Sequence, residues 1–253
     1  VRTGATHGDG SRCADGRHDS LHQGRPLAHP LDVVDGAHET QHVAVVDYGM
    51  GNLASVAKAV AHVGSRDVRV LVTDRPDDIR NAHRVVFPGQ GAMGDCMAAL
   101  ERIGLDAPIG DALRNKPFLG ICVGFQALFD HSEEDGGTTG LGFVAGKVRR
   151  FAADQFDRTT GERLKVPHMG WNQVSQRQAH PLWNGIADNS RFYFVHSYYV
   201  QPLDRAVSAG ESEHGATFSA AAAQGNWFAT QFHPEKSAHD GLKLLTNFLG
   251  WQP

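Results

Sequence analysis

Cysteine is scarce in this chain: 253 residues hold three, Cys13, Cys96 and Cys122. So odd and widely spaced a set excludes a disulfide framework, and no CxxC pair opens a metal site. No apolar run approaches the length of a bilayer span, and residues 1–42 lack the apolar stretch of a secretory signal. Positive charge is not in excess either. With 24 Lys and Arg against 28 Asp and Glu the net charge is -4, which argues against nucleic acid or a membrane surface as partner. These absences together point to a protein of the reducing cytoplasm, with no metal and no cofactor called for.

Aromatic residues are missing from residues 1–42, a segment crowded with His, Asp, Arg and Gly. Without aromatics or a periodic apolar face it cannot offset its ordering entropy. It is expected to be a disordered extension or a start assigned too far upstream, the opening residue being Val1. A metal-binding tail is the alternative, but the histidines share no ligand spacing. The folded domain is expected at 43–253.

From 43 onward the pattern changes. Val43 to Val46 is a short apolar run ending in the turn Asp47-Tyr48-Gly49-Met50-Gly51-Asn52, and reads as a buried parallel strand. Leu53, Val56, Ala57, Val60 and Val63 then mark one face of a helix that Gly64 stops. Further strands are expected at 68–72, 85–87 and 118–121, with helices from Met93 to Glu101 and from Ile109 to Asn115. This alternation predicts a doubly wound, mostly parallel α/β sheet. The second half reads differently. Strands are expected at 144–151, 191–200, 206–209, 217–222 and 227–232, joined by hairpin turns at 157–161 and 224–226. A closing amphipathic helix carries Leu242, Leu245, Phe248 and Leu249. The fold class is therefore α/β with antiparallel strands in the C-terminal half.

Two short motifs carry chemistry. Gly120-Ile121-Cys122-Val123-Gly124 joins a strand to a helix in the manner of a nucleophile elbow, with Cys in the nucleophile's place. The glycines permit a sharp turn, and a helix start favours thiolate. A small buried hydrophobe is the other reading of a free cysteine, and it is the one given to Cys96. Phe232-His233-Pro234-Glu235 follows a strand, placing an imidazole at the strand's C-terminal edge with a carboxylate able to turn back to it. Such a carboxylate fixes the tautomer and frees the other ring nitrogen to work on a thiol.

Together these motifs resemble those of the class I, or triad, glutamine amidotransferases. Asp47 to Asn52, Pro88-Gly89-Gln90-Gly91, Pro167-His168-Met169-Gly170-Trp171-Asn172, Phe194-Val195-His196-Ser197-Tyr198 and Gln231 to Ser237 narrow the resemblance to the glutaminase subunits of imidazole glycerol phosphate synthases. It extends over 43–250. The resemblance implies a flavodoxin-like fold and a catalytic triad of Cys122, His233 and Glu235. It also implies an oxyanion site at the amide of Val123 and the loop ending in Gly91. Glutamine would be contacted by Gln126 and by the backbone of Ser197 and Tyr198. The implied partner is a (β/α)8 cyclase subunit, forming a heterodimer, with Asn52, Trp171, Tyr193 and Lys236 near the interface. The sequence departs from the family at Gln90, where a small apolar residue is common; its side chain either perturbs the oxyanion loop or faces solvent. A different class stays open at this point. Gly49 to Ala54 fits G-x-G-x-x-A, with Asp74 ending the next strand, a dinucleotide-binding pattern.

Overall fold

The computed structural model describes residues 40–157 and 160–253. The expectations for the N-terminal segment, and Cys13 with it, lie outside the described residues.

The first half alternates as the periodicity predicts. Its elements are β1 (Gln41–Val46), α1 (Leu53–Val63), β2 (Val68–Thr73), α2 (Pro76–Asn81), β3 (Arg84–Gly89), α3 (Met93–Ile103), α4 (Asp106–Asn115), β4 (Phe118–Cys122) and α5 (Val123–Gln126). Asn52 caps α1 through Ser55 N–H, and α3 ends on left-handed Gly104. The short α2 has no counterpart in the sequence reading. It covers six residues, too few for a period, though Pro76 at its start and Asp77 and Asp78 in its first turn are helix-opening signals.

The second half comprises β5 (Phe129–Ser132), β6 (Thr138–Thr139), β7 (Val144–Arg150), β8 (His168–Gln176), β9 (Ser190–His196), β10 (Tyr198–Pro202), β11 (Ser208–Glu213), β12 (Thr217–Gln224), β13 (Trp227–Thr230) and α6 (Ala238–Gly250). Two expectations need correction here. The single strand at 191–200 is two strands that break at Ser197 and join different sheets. The strand at 206–209 begins instead as a 3-10 turn, Arg205–Val207, because Asp204 Oδ1 accepts the Ala206 N–H and caps it. The 224–226 turn does join a hairpin, with Gln224 paired to Trp227.

Among the described residues the main sheet has nine strands in the order β2-β1-β3-β4-β13-β12-β11-β8-β9. The five from β2 to β13 are parallel and the rest antiparallel. A smaller sheet runs β10-β7-β5-β6. The core is centred on the parallel strands, where Val43, Val45, Val85, Phe87, Phe118 and Phe228 are fully buried. Burying such a side chain contributes about 1.5–3 kcal/mol. No helix among the described residues is long and apolar enough to cross a membrane.

This order positions the site. β4 lies between β3 and β13, with Gly89 in register with Cys122 and Thr230 with Ile121. The C-terminal ends of three neighbouring strands thus bring together the 88–91 loop, the cysteine and the His-Pro-Glu segment, where open α/β sheets bind ligands.

Candidate active site

Cys122 sits at the corner between β4 and α5 with φ 56° and ψ −109°, a region that non-glycine residues seldom occupy. The surrounding packing holds the corner tight. A Cβ on Gly124 would collide with the Phe87 carbonyl oxygen, and one on Gly120 would lie 3.0 Å from the Ala229 Cβ. The helix that follows is a single turn of four residues. Its dipole is correspondingly short, so the expected helix contribution to a thiolate is smaller than the sequence suggests, and positive charge must come from elsewhere.

His233 supplies it. The segment after β13 is anchored by His233 N–H donating to the Tyr193 carbonyl at 2.9 Å, and by Ser237 Oγ–H donating to the His233 carbonyl at 2.6 Å. Glu235 turns back as expected, with Oε1 2.8 Å from Nδ1 and both side chains almost wholly buried. A carboxylate there places a proton on Nδ1 and leaves Nε2 toward the thiol. Nε2 has no aligned hydrogen-bond partner among the described residues. Burial alone would lower the imidazole pKa. The charge of Cys122, together with Glu235, outweighs it and raises the value from 6.5 to about 10.

Cys122 and His233 line one cavity of about 460 Å³, together with Gln90, Gly91, Val123, Gln126, Ser197, Tyr198 and Lys236. Every residue expected at the oxyanion and glutamine positions is therefore at this cavity. Gln126 is buried. Its Nε2 donates to the Tyr198 carbonyl at 2.9 Å and to Gln231 Oε1 at 3.0 Å. Gly91 has φ 89°, which only glycine adopts without strain. Gln90 takes neither course exclusively: it lines the cavity and packs where a Gly51 Cβ would meet it at 3.7 Å. The Gly51 end of the 49–51 turn thus lies alongside the 88–91 loop.

Of the expected interface residues, Trp171 pairs in register with Tyr193 and meets it edge-on at 6.1 Å between ring centroids. Trp171 is 44% exposed and its neighbour Met169 63%. Lys236 stands at the cavity, and Asn52 is an exposed helix cap.

Two residues at the site were given no role from the sequence, although Gln231 stands in one of the quoted motifs. Gln231 Nε2 lies 3.7 Å from Cys122 Sγ. On the strand expected at 227–232 its place two residues before His233 was the available signal, although β13 ends at Thr230 and the chain bends at Gln231 and Phe232. Glu134 also lines the cavity, and its Oε2 accepts the Met93 N–H at 2.7 Å. Burial raises its carboxyl pKa; the Met93 amide pulls the other way, and Asp135 and Asp95 add to the rise. In sequence it is one member of the acidic run Glu133-Glu134-Asp135, which reads as a solvated face.

Comparison with known proteins agrees with this geometry. The family Glutamine amidotransferase class-I matches residues 44–250. The chain is 57% identical over 211 residues to an Imidazole glycerol phosphate synthase subunit HisH of Aromatoleum aromaticum, covering 83% of this chain and 99% of that one. A protein of the same name from Nitrosospira multiformis is 58% identical over 211 residues, covering 83% and 98%. Among solved structures, a glutamine amidotransferase from Thermotoga maritima superposes with a TM-score of 0.53 at 18% identity, over 80% of this chain and 80% of that one. The glutaminase domain of Trypanosoma brucei CTPS, with bound acivicin, gives 0.55 at 15% identity, over 85% and 96%. These two structures share the fold.

Proposed function

The chain belongs to the class I glutamine amidotransferases, and from that premise we propose that it hydrolyses glutamine as the glutaminase subunit of an imidazole glycerol phosphate synthase in histidine biosynthesis. The observation that carries the reaction is that His233, held by the buried Glu235, lines the same cavity as Cys122.

Cys122 attacks the side-chain amide carbon of glutamine, its proton held by His233. The resulting oxyanion is met by the Val123 N–H and by an N–H of the loop ending in Gly91. His233 gives its proton to the departing amine, ammonia leaves, and a thioester remains. Water, deprotonated by His233, cleaves the thioester to glutamate and restores the thiol. Glu235 keeps the ring oriented and stabilises its charged form. Gln126 and the backbone at Ser197 and Tyr198 hold the substrate glutamine. The Glu134 carboxylate suits its α-ammonium, an opposite charge at one wall of the cavity.

Ammonia loses its nucleophilicity once protonated in bulk water, so its use requires delivery to a partner. The partner in this reading is a (β/α)8 cyclase subunit, forming a heterodimer in the cytoplasm and making imidazole glycerol phosphate and aminoimidazole carboxamide ribotide. The exposed Met169 and Trp171, with half-buried Tyr193 against Trp171 and Lys236 at the cavity itself, suit its docking.

Cys122→Ala in the assembled synthase is expected to abolish glutamine-dependent synthesis while ammonia-dependent synthesis survives. Retention of glutamine-dependent synthesis would overturn the mechanism.

A further inference from the structure

Next to the Ser197–Tyr198 turn, with His196 itself among the cavity-lining residues, lies a row of buried polar side chains to which the mechanism above gives no role. His168 of β8 and His196 of β9 are 5% and 6% exposed, and His168 Nδ1 lies 3.0 Å from His196 Nε2. His196 Nδ1 is 2.8 Å from the Tyr198 carbonyl oxygen, and His168 Nε2 is 3.2 Å from Asn172 Nδ2. Phe151, Phe194 and Phe218 pack around the two rings, with His214 stacked on His168 at 4.2 Å.

The direction of every hydrogen bond in this row is fixed from both ends. At one end the Gln173 N–H donates to Asn172 Oδ1 at 2.8 Å, so the Asn172 amide must turn its NH2 group to His168. The second amide proton goes to the Glu213 carbonyl at 2.8 Å. His168 Nε2 is then an acceptor, its proton is on Nδ1, and His196 Nε2 receives it. At the other end the Tyr198 carbonyl can only accept, so His196 must carry its proton on Nδ1. The two deductions agree: each ring is a neutral Nδ1–H tautomer and no proton is left over. Burial, with the neighbouring histidines, lowers the two pKa values to about 2 and about 3, in the same sense.

The row ends on the substrate side. The carbonyl that His196 holds is the one that accepts from Gln126 Nε2. The other Nε2 proton of Gln126 goes to Gln231, so the amide orientation of Gln126 is set and its Oε1 is the end available to a ligand. We propose that His168 and His196 are positioning residues for the substrate glutamine, a neutral pair that pins the Tyr198 carbonyl and through it the side-chain orientation of Gln126. This inference rests on the glutaminase reading. Its consequence is that the partner-facing strand β8 and the substrate pocket share one hydrogen-bonded chain, because Asn172 and His168 belong to the strand that exposes Met169 and Trp171.

The test uses the chain assembled with its synthase partner. His168→Phe keeps a flat ring but removes the donor to His196, whereas His168→Asn can still present an N–H near the Nδ1 position. His168→Phe is expected to raise KM for glutamine about ten-fold, the factor of one lost buried hydrogen bond, with kcat within about two-fold of the wild type. His168→Asn is expected to recover most of that loss. An unchanged KM in His168→Phe, or equal impairment of both variants, overturns the proposal. If neither variant folds, nitrogen-detected NMR of the wild-type imidazoles decides: two neutral Nδ1–H rings near neutral pH are expected, and an imidazolium or an Nε2–H tautomer at either position overturns it. A wild-type synthase with no glutamine-dependent activity would instead sink the glutaminase reading, and the NMR result would still stand on its own.

Discussion

Glu235 governs the charge of His233 from the far side of the ring. Because the folded pKa lies above 6.5, at about 10, the imidazolium persists below that value and is lost as pH rises through it. The departing ammonia takes its proton from that form, so glutaminase activity has an alkaline limb set by His233. Glu235→Gln removes a contribution that raises the pKa. The limb is expected to move to lower pH, and kcat to fall about 10²- to 10⁴-fold. A kcat/KM profile against pH measures both, and an unmoved limb would contradict the assignment. At the cavity wall, Glu134→Gln is expected to raise KM for glutamine about ten-fold by removing a charge partner for the α-ammonium. Measurement with a substrate analogue lacking the amine gives the check: its KM should not respond. Cys122, His233 and Glu235 were legible in the sequence because each sits in a motif of fixed short spacing. Glu134 was not, because its approach to the cavity depends on its bond to Met93, a residue 41 positions away.

At the scale of elements, the corner between β4 and α5 is a strained part of the fold. Gly124→Ala would push a Cβ into the Phe87 carbonyl, a backbone atom that no rotamer change can move. A loss of more than about 2 kcal/mol in stability is expected, together with loss of activity. Urea unfolding reads the first, and an unaltered midpoint would show that β3 yields where the structure says it is fixed. The stretch from Arg191 to Val200 shows what periodicity misses. Aromatic and β-branched residues flank His196-Ser197 on both sides, so the sequence reads as one strand. The chain nevertheless leaves the main sheet there, since Tyr198 pairs with Arg150 of β7 while His196 pairs with His168 of β8. A strand that changes partners carries no local mark, because both halves keep extended backbone.

For the whole molecule, the outer strand pair β8–β9 leaves Met169 and Trp171 exposed at one end of the sheet. Trp171→Ala is expected to weaken assembly with the synthase partner at least about ten-fold, as buried aromatic anchors do, with secondary structure and unfolding midpoint unchanged. Sedimentation of the mixed subunits tests this. Acid stability is a second molecule-wide property. His168 and His196 are held neutral with folded pKa values well below 6.5, so their contribution is present above 6.5 and is lost as pH falls toward about 3. The stability of the chain should therefore decline from pH 6.5 to pH 4, and less steeply in His168→Asn. Equal slopes would show that His168 does not take up a proton on unfolding.

The sequence by itself determined the parallel α/β core, the strained corner at Cys122 and the imidazole–carboxylate pair, because each depends on apolar periodicity or on residues a few positions apart. Only the tertiary structure decided that β3, β4 and β13 lie side by side, that Glu134 reaches the cavity and Gln231 the Cys122 sulfur, and that two histidines form a neutral chain to the Tyr198 carbonyl. The physical reason is that strand order and burial arise from contacts between segments far apart along the chain. Such contacts are selected by the packing of the whole sheet and leave no local trace.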